Sequence, residues 1–171
     1  VRLWLPDPKD PLNKSLEPQP GSKEPIFHPV FLERVKPFKV IRLVAWLATN
    51  GSPEQDWQDR RLPTDAFAIG VINPRSPAND AKGNPYGGNS QTGVPWEFVV
   101  ALGNATGRDI WINIPHRATD DYVRKVAQLI RFGSNGKQPY PSAVQNPTYP
   151  PLRSGLRVFV EYSNEIWAPN S

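Results

Sequence analysis

The sequence predicts an α/β protein in which parallel strands are joined by crossover helices. Four apolar, strand-like runs alternate with segments whose apolar residues recur at helical spacing, and this alternation is typical of βαβ units. The 21 prolines are concentrated between the periodic segments, which indicates short regular elements joined by long, stiffened loops. No glycine-rich phosphate loop follows any strand-like run, which disfavours a nucleotide-binding open sheet.

The first half of the chain contains two predicted strands and one predicted helix. Residues 1–5 form an apolar run that is followed by prolines, and we predict a strand there. Residues 28–38 have apolar side chains at helical spacing, although Pro37 conflicts with the last turn and allows an end at Val35. Residues 40–46 are β-branched and apolar, and they predict a buried strand.

The second half alternates more regularly between helix and strand. Residues 94–106 have an apolar face and a glycine directly after them, which predicts a helix. Residues 109–115 predict a strand. Thr119 can cap another helix with an apolar stripe that Gly133 ends, and residues 156–165 predict the last strand.

Two long connections interrupt this pattern within what is predicted to be one partial domain, residues 1–171. Residues 47–93 are rich in Pro, Gly, Asn and Asp, and residues 134–155 are rich in Pro. Connections this long are usually functional or disordered. Because methionine is absent even at position 1, we expect a processed product or a fragment.

Composition disfavours several classes of function. Cysteine is absent, so disulfides, thiol catalysis and cysteine-ligated metal are excluded. His28 and His116 lie far apart, so we expect no catalytic metal and no other cofactor; His28 is expected to be a cap or surface residue. The net charge of +4 comes from scattered basic residues and does not indicate nucleic-acid binding. No apolar run is long enough to span a membrane.

Polar residues lie in or just after three of the predicted strands. Arg42 lies in the second strand and His116 follows the third, while Asn164 and Glu165 close the fourth. Barrel enzymes build their active sites where the strands end, so these residues are candidates for one site. Glu161 shares the parity of Glu165 but lies deeper in the strand, and we expect it to form an ion pair with Arg42.

The segments that carry these residues resemble strands of the clan A glycoside hydrolases, which are (β/α)8 barrels. The matching segments are Val40-Ile41-Arg42-Leu43, Ile114-Pro115-His116 and Glu161-Tyr162-Ser163-Asn164-Glu165. The resemblance covers essentially the whole chain and implies strands 1–4 of a TIM (β/α)8 barrel, whose full length is about 250 residues. The chain also resembles secreted bacterial proteins of this barrel type, which implies an extracellular location.

The resemblance implies a role for each candidate residue. Glu165 is expected to be the catalytic acid/base, because glycoside hydrolysis needs a protonated carboxyl group at the leaving oxygen. Asn164 is expected to hold the sugar 2-hydroxyl, with Arg42 and His116 at the same substrate subsite. The second carboxylate lies on strand seven of that family, outside the four strands predicted here. The alternative to a catalytic site is that Asn164 and Glu165 are a surface pair at a strand end. In the same way, His116 could be a loop histidine that is hydrogen-bonded to the backbone.

The tryptophans allow two interpretations. Trp46, Trp57 and Trp167 lie at or beyond predicted strand ends, where flat rings could stack on sugars or fill a core. Trp57 is the preferred sugar platform, and the charged residues around it could contact substrate or form a solvated loop over the barrel mouth. Trp96 and Trp111 are expected in the core.

The function predicted from these residues is glycoside hydrolysis of a polysaccharide or oligosaccharide by carboxylate acid/base catalysis, in a full-length form of the protein. The alternative is a non-catalytic carbohydrate-binding or structural extracellular protein. Because half a barrel exposes two sheet edges, we expect the chain to form homo-oligomers or to associate with the missing C-terminal half. No nucleic acid and no membrane span are expected.

Overall fold

The computed structural model describes residues 26–65 and 93–167, in which helices and strands alternate. The predicted strand at residues 1–5 lies outside these ranges, as does much of the long connection at residues 47–93. In chain order the elements are α1 Pro29–Val35, β1 Val40–Arg42, a 3₁₀ helix Trp57–Asp59, α2 Trp96–Thr106, β2 Asp109–Ile114, α3 Asp120–Phe132 and β3 Val158–Tyr162. No helix in the described ranges is long and apolar enough to cross a membrane.

The three strands form one parallel sheet in the order β1-β2-β3. The register pairs Arg42 with Trp111, and it pairs Asn113 with Glu161. Parallel strands joined through helices confirm the predicted α/β class. The carboxyl ends of all three strands meet at one edge of the sheet, which we call the carboxyl edge.

The two faces of the sheet differ because side chains alternate along a strand. Along β2, Ile110, Ile112 and Ile114 are at most 5 % exposed and belong to the hydrophobic core. That core also includes residues of α2 and α3, among them Val99, Val126 and Leu129. The opposite parity carries polar and aromatic side chains, and we call it the polar sheet face: Arg42, Trp111, Asn113, Phe159 and Glu161.

Helices α2 and α3 both end at a glycine, and α3 also begins at a capping side chain. The Thr119 hydroxyl accepts a hydrogen bond from the Tyr122 amide at 3.3 Å and starts α3. Gly133, with φ +80°, ends α3, and Gly107, with φ +65°, ends α2. These positive φ angles suit glycine, which has no Cβ. The predicted bounds of α3 are confirmed, and α2 ends as predicted but begins at Trp96, two residues later than predicted.

Two predicted strand ends needed correction. The strand predicted for residues 40–46 ends at Arg42, because the chain then turns and the Leu47 amide bonds the Leu43 carbonyl at 2.8 Å. The last strand ends at Tyr162 and not at residue 165. Helix α1 ends at Val35, as the conflict at Pro37 allowed. His28 is its cap, since its Nδ1 accepts from the Val30 amide at 3.2 Å.

Candidate functional site at the carboxyl edge

The centre of the carboxyl edge is the carboxylate of Glu161, which lies in β3 on the polar sheet face. Its two oxygens accept hydrogen bonds from Arg42 Nη2 at 2.9 and 3.2 Å. The Trp111 indole donates at 3.0 Å and the Asn113 amide at 2.8 Å. The backbone N–H of Glu165 donates at 3.2 Å. The expected ion pair between Arg42 and Glu161 is therefore confirmed.

This environment favours the ionised form of Glu161. The hydrogen bond from Arg42 is the largest cause that lowers the pKa of Glu161 below its ordinary value, and the bonds from the Glu165 backbone and Asn113 act in the same direction. Partial burial opposes them by raising the pKa. A carboxylate with four donors and a lowered pKa is suited to orient neighbouring groups. It is poorly suited to deliver a proton.

Asn164 is fixed through both ends of its side-chain amide. Its Oδ1 accepts from Arg42 Nη2 at 2.8 Å, and its Nδ2 donates to the Asn50 side chain at 2.9 Å. Arg42 therefore links Asn164 to Glu161 with a single nitrogen. Asn50 comes from the segment after β1, so two separate parts of the chain position this amide.

Glu165 lies three residues beyond the end of β3, in a turn that follows the strand. Its backbone is tied to Glu161, and the residue as a whole is exposed. Its φ of +48° places it in the left-handed region, where non-glycine residues are uncommon. The structure thus brings Arg42, Asn164 and the Glu165 backbone together around Glu161.

The other predicted substrate-binding residues are more scattered. His116 is exposed, and it meets β3 through its backbone carbonyl, which accepts from the Tyr162 hydroxyl at 2.7 Å. Trp46 is half-buried, with its ring 6.1 Å from that of Phe27. Trp167 follows Glu165 by two residues. It is 76 % exposed, so its ring is accessible.

Trp57, the preferred sugar platform, is only 3 % exposed. The Arg60 guanidinium lies 4.3 Å from the centroid of its indole ring, and the Tyr122 ring packs on it at 5.5 Å. Its Nε1 donates to the Lys137 carbonyl at 3.0 Å. In this structure the ring is occupied by protein groups and offers no face for a sugar.

The charged segment around Trp57 is not a solvated loop, because its two arginines are buried. Arg60 and Arg61 are 1 % and 2 % exposed. Arg60 forms two hydrogen bonds of 3.0 Å with the carboxylate of Glu97 in the first turn of α2. It also donates to the carbonyls of Gly136 and Lys137, in the loop after α3. This buried ion pair ties the segment after β1 to the helical layer.

A second buried carboxylate, Glu54, lies close to this ion pair. It accepts a hydrogen bond from the Tyr122 hydroxyl, whose oxygen accepts from Trp96 Nε1 at 2.8 Å. Burial raises the pKa of Glu54 to about 7, although the hydrogen bond from Tyr122 and the charge of Arg60 lower it. Of the other charges that act on it, Asp59 raises the pKa and Arg61 lowers it.

Sequence reasoning missed three members of the carboxyl-edge cluster: Trp111, Asn113 and Asn50. Trp111 was expected in the core, but it is 38 % exposed. It lies on the polar sheet face because its register partner is Arg42. Asn113 could have been found from the alternation along β2, since Ile110, Ile112 and Ile114 have the opposite parity. No pattern in the sequence indicated that Asn50 belongs to the cluster, because its position depends on the turn after β1.

Within residues 26–65 and 93–167, no three His, Asp or Glu side chains are grouped so that they could hold a metal ion. Comparisons of the chain with protein-family models, with curated proteins and with solved structures gave no match.

Proposed function

We propose that this chain carries part of a glycoside-hydrolase-type site that acts on a polysaccharide, with Glu165 as the proton donor and Asn164 as a sugar contact. The observation that supports the proposal is the hydrogen-bond cluster at the carboxyl edge. It holds Asn164 beside Glu165 above three parallel strands, through Arg42 and Glu161. This edge is where α/β enzymes place their chemistry.

The two glutamates are suited to different parts of the reaction. Glu161 is engaged by four donors and has a lowered pKa, so it remains an anion. Glu165 is exposed at the tip of the turn, where a substrate can reach it. In the proposed reaction Glu165 donates its proton to the glycosidic oxygen as the bond to the anomeric carbon breaks, and later it accepts a proton from water.

The reaction also needs a second carboxylate. In retaining enzymes it lies about 5–5.5 Å from the acid, and in inverting enzymes about 6.5–9.5 Å from it. Glu161 is a poor candidate because its oxygens already accept from Arg42, Trp111 and Asn113. We propose that this group comes from outside the three described strands, as the likeness to the first half of a TIM (β/α)8 barrel implies.

The test compares the full-length gene product with its Glu165→Gln variant on a panel of polysaccharides, by release of reducing ends. The Glu33→Gln variant is the control, since Glu33 is 64 % exposed on α1. Loss of a general acid is expected to lower the rate about 10²–10⁴-fold on polysaccharide. The loss should be much smaller on dinitrophenyl glycosides, whose leaving group needs no proton. Equal rates for wild type and Glu165→Gln on polysaccharide would remove Glu165 from the mechanism.

A second candidate function is carbohydrate binding without hydrolysis, which is favoured by the exposed ring of Trp167. An accessible indole next to fixed amide groups suits stacking on a sugar face. This function predicts that the protein is retained on an insoluble polysaccharide without releasing sugar. Retention should be lost in Trp167→Ala and unchanged in Glu165→Gln. Release of reducing ends, or retention that Trp167→Ala does not alter, would contradict it.

A further inference from the structure

The turn that presents Asn164 and Glu165 has an unusual backbone. Ser163 and Glu165 both have positive φ angles, +56° and +48°. The left-handed conformation costs non-glycine residues on the order of 1–2 kcal/mol each. Such conformations persist only when surrounding contacts hold them, and they are concentrated at functional sites. The contacts that hold this turn therefore identify the residues that shape the site.

Both left-handed residues are bonded to groups that converge on Glu161. The Glu165 amide donates to Glu161 Oε1 at 3.2 Å. The Asn113 side-chain nitrogen donates to Glu161 Oε2 and to the Ser163 carbonyl, both at 2.8 Å. Asn113 is fully buried, so it is a rigid support. The Ser163 amide also continues the sheet by donating to the Ile114 carbonyl at 2.8 Å.

The residue between them is held through the same carboxylate. Arg42 Nη2 lies 2.9 Å from Glu161 Oε2 and 2.8 Å from Asn164 Oδ1. Glu161 thereby fixes the guanidinium that orients the Asn164 amide. All three residues of the turn are linked to the Glu161 side chain, directly or through one intermediate. Asn50 also bonds Asn164, and the Ile114 carbonyl also bonds the Ser163 amide.

We propose that Glu161 is a positioning residue, which holds the left-handed turn and so presents Asn164 and Glu165 to substrate without contacting the substrate itself. The assignment rests on the proposed function where it concerns catalysis. The positioning of the turn is independent of what the site acts on. A displacement of about 1 Å in a catalytic group can lower a rate about 10²-fold.

The chain offers a closely matched control in Asp109. Its carboxylate also lies on this sheet in an ion pair with an arginine, Arg157, at 2.8 Å, and its side chain is 12 % exposed compared with 13 % for Glu161. Asp109 begins β2, at the edge opposite the turn. Asp109→Asn and Glu161→Gln therefore remove similar charges, but only Glu161→Gln acts on the turn.

The experiment measures hydrogen exchange of the backbone amides of residues 163–165, together with kcat and KM on a glycan that the full-length protein hydrolyses. Glu161→Gln should accelerate exchange at these amides and lower kcat by about 10–100-fold, with KM changed less than about threefold. Asp109→Asn should change neither. If the Gln variant does not fold, Glu161→Asp tests whether Glu161 holds the turn. It keeps the charge, but it moves the carboxylate oxygens about 1.5 Å away from the Glu165 amide.

Unchanged exchange and unchanged kcat in the Glu161 variants would overturn the proposal, and so would equal effects of the Glu161 and Asp109 variants. A change in KM alone would also overturn it, since that result assigns Glu161 to substrate binding. If the wild-type protein hydrolyses no glycan, the proposed function fails. The exchange measurement alone then decides whether Glu161 positions the turn.

Discussion

Glu54 should make the stability of this protein decrease as the pH rises from about 5 to 8. Glu54 is 6 % exposed, and its carboxyl group accepts a hydrogen bond from Tyr122. Burial raises the pKa of Glu54 from its ordinary value of 4.5 to about 7. Between these two values the unfolded chain has released the proton while the folded protein still holds it. Rising pH therefore favours the unfolded state in this interval.

The size of the effect follows from the two pKa values. A difference from 4.5 to about 7 corresponds to about 3 kcal/mol of unfolding free energy, at 1.36 kcal/mol for each pH unit. This stabilisation is fully present below pH 4.5 and is lost as the pH rises through 7. It is a large part of the total for a domain whose stability is about 5–15 kcal/mol.

The perturbation is Glu54→Gln, which has a similar shape, cannot ionise and can still accept from Tyr122. Urea unfolding followed by far-ultraviolet circular dichroism, at half-unit steps from pH 5 to pH 8.5, gives the free energy of unfolding for both proteins. The wild type should lose about 2–3 kcal/mol relative to the variant across this range. Subtraction of the two curves removes the contribution of every other titrating group. The exposed Glu33→Gln should reproduce the wild-type curve.

The reasoning would be refuted by parallel curves for wild type and Glu54→Gln between pH 5 and pH 8. A wild-type protein that becomes more stable than the variant as the pH rises would refute it as well, because the sign would be reversed.

Two further predictions concern stability. Arg60→Met should destabilise the protein by about 3–5 kcal/mol, because it leaves Glu97 buried without its ion pair. Lys36→Met, which breaks an exposed ion pair with Glu33, should lower the free energy of unfolding by less than about 1 kcal/mol in the same urea titration. Similar losses in the two variants would contradict a stabilising role for the buried pair. Gly133→Ala should lower the melting temperature more than Gly155→Ala. Both glycines have positive φ, but a Cβ would lie 2.2 Å from a backbone carbonyl oxygen only at Gly133, and it meets nothing within 4 Å at Gly155.

Local signals were sufficient to locate the helices and strands of the second half of the chain, although β3 ends three residues earlier than predicted. The Thr119 cap, the apolar stripe and Gly133 bound α3 as predicted. The ion pair between Arg42 and Glu161 was also predictable, because both lie on strands predicted to be neighbours and a carboxylate within a sheet needs a partner. These signals depend on residues a few positions apart, or on the alternation of side chains along a strand.

The errors arose where long-range contacts decide the structure. Arg60 and Arg61 look solvated in the sequence, and nothing near them shows that Glu97 will pair with Arg60 in the interior. The run after Arg42 remains apolar, but it turns at Leu43, and apolarity predicts burial without fixing the backbone conformation. Trp111 shows the same limit, because register and not hydrophobicity places it on the polar sheet face.

The packing of aromatic rings around Glu54 gives the protein a built-in optical probe. Tyr122 binds this carboxylate, and the rings of Trp57 and Trp96 lie 5.5 and 6.5 Å from the Tyr122 ring. Two indoles in a dry, rigid setting should give strong near-ultraviolet dichroic bands, and a charge that appears beside them should shift their emission. The loss of one interior proton can therefore be followed by spectroscopy in the native state, without a label and without unfolding the chain.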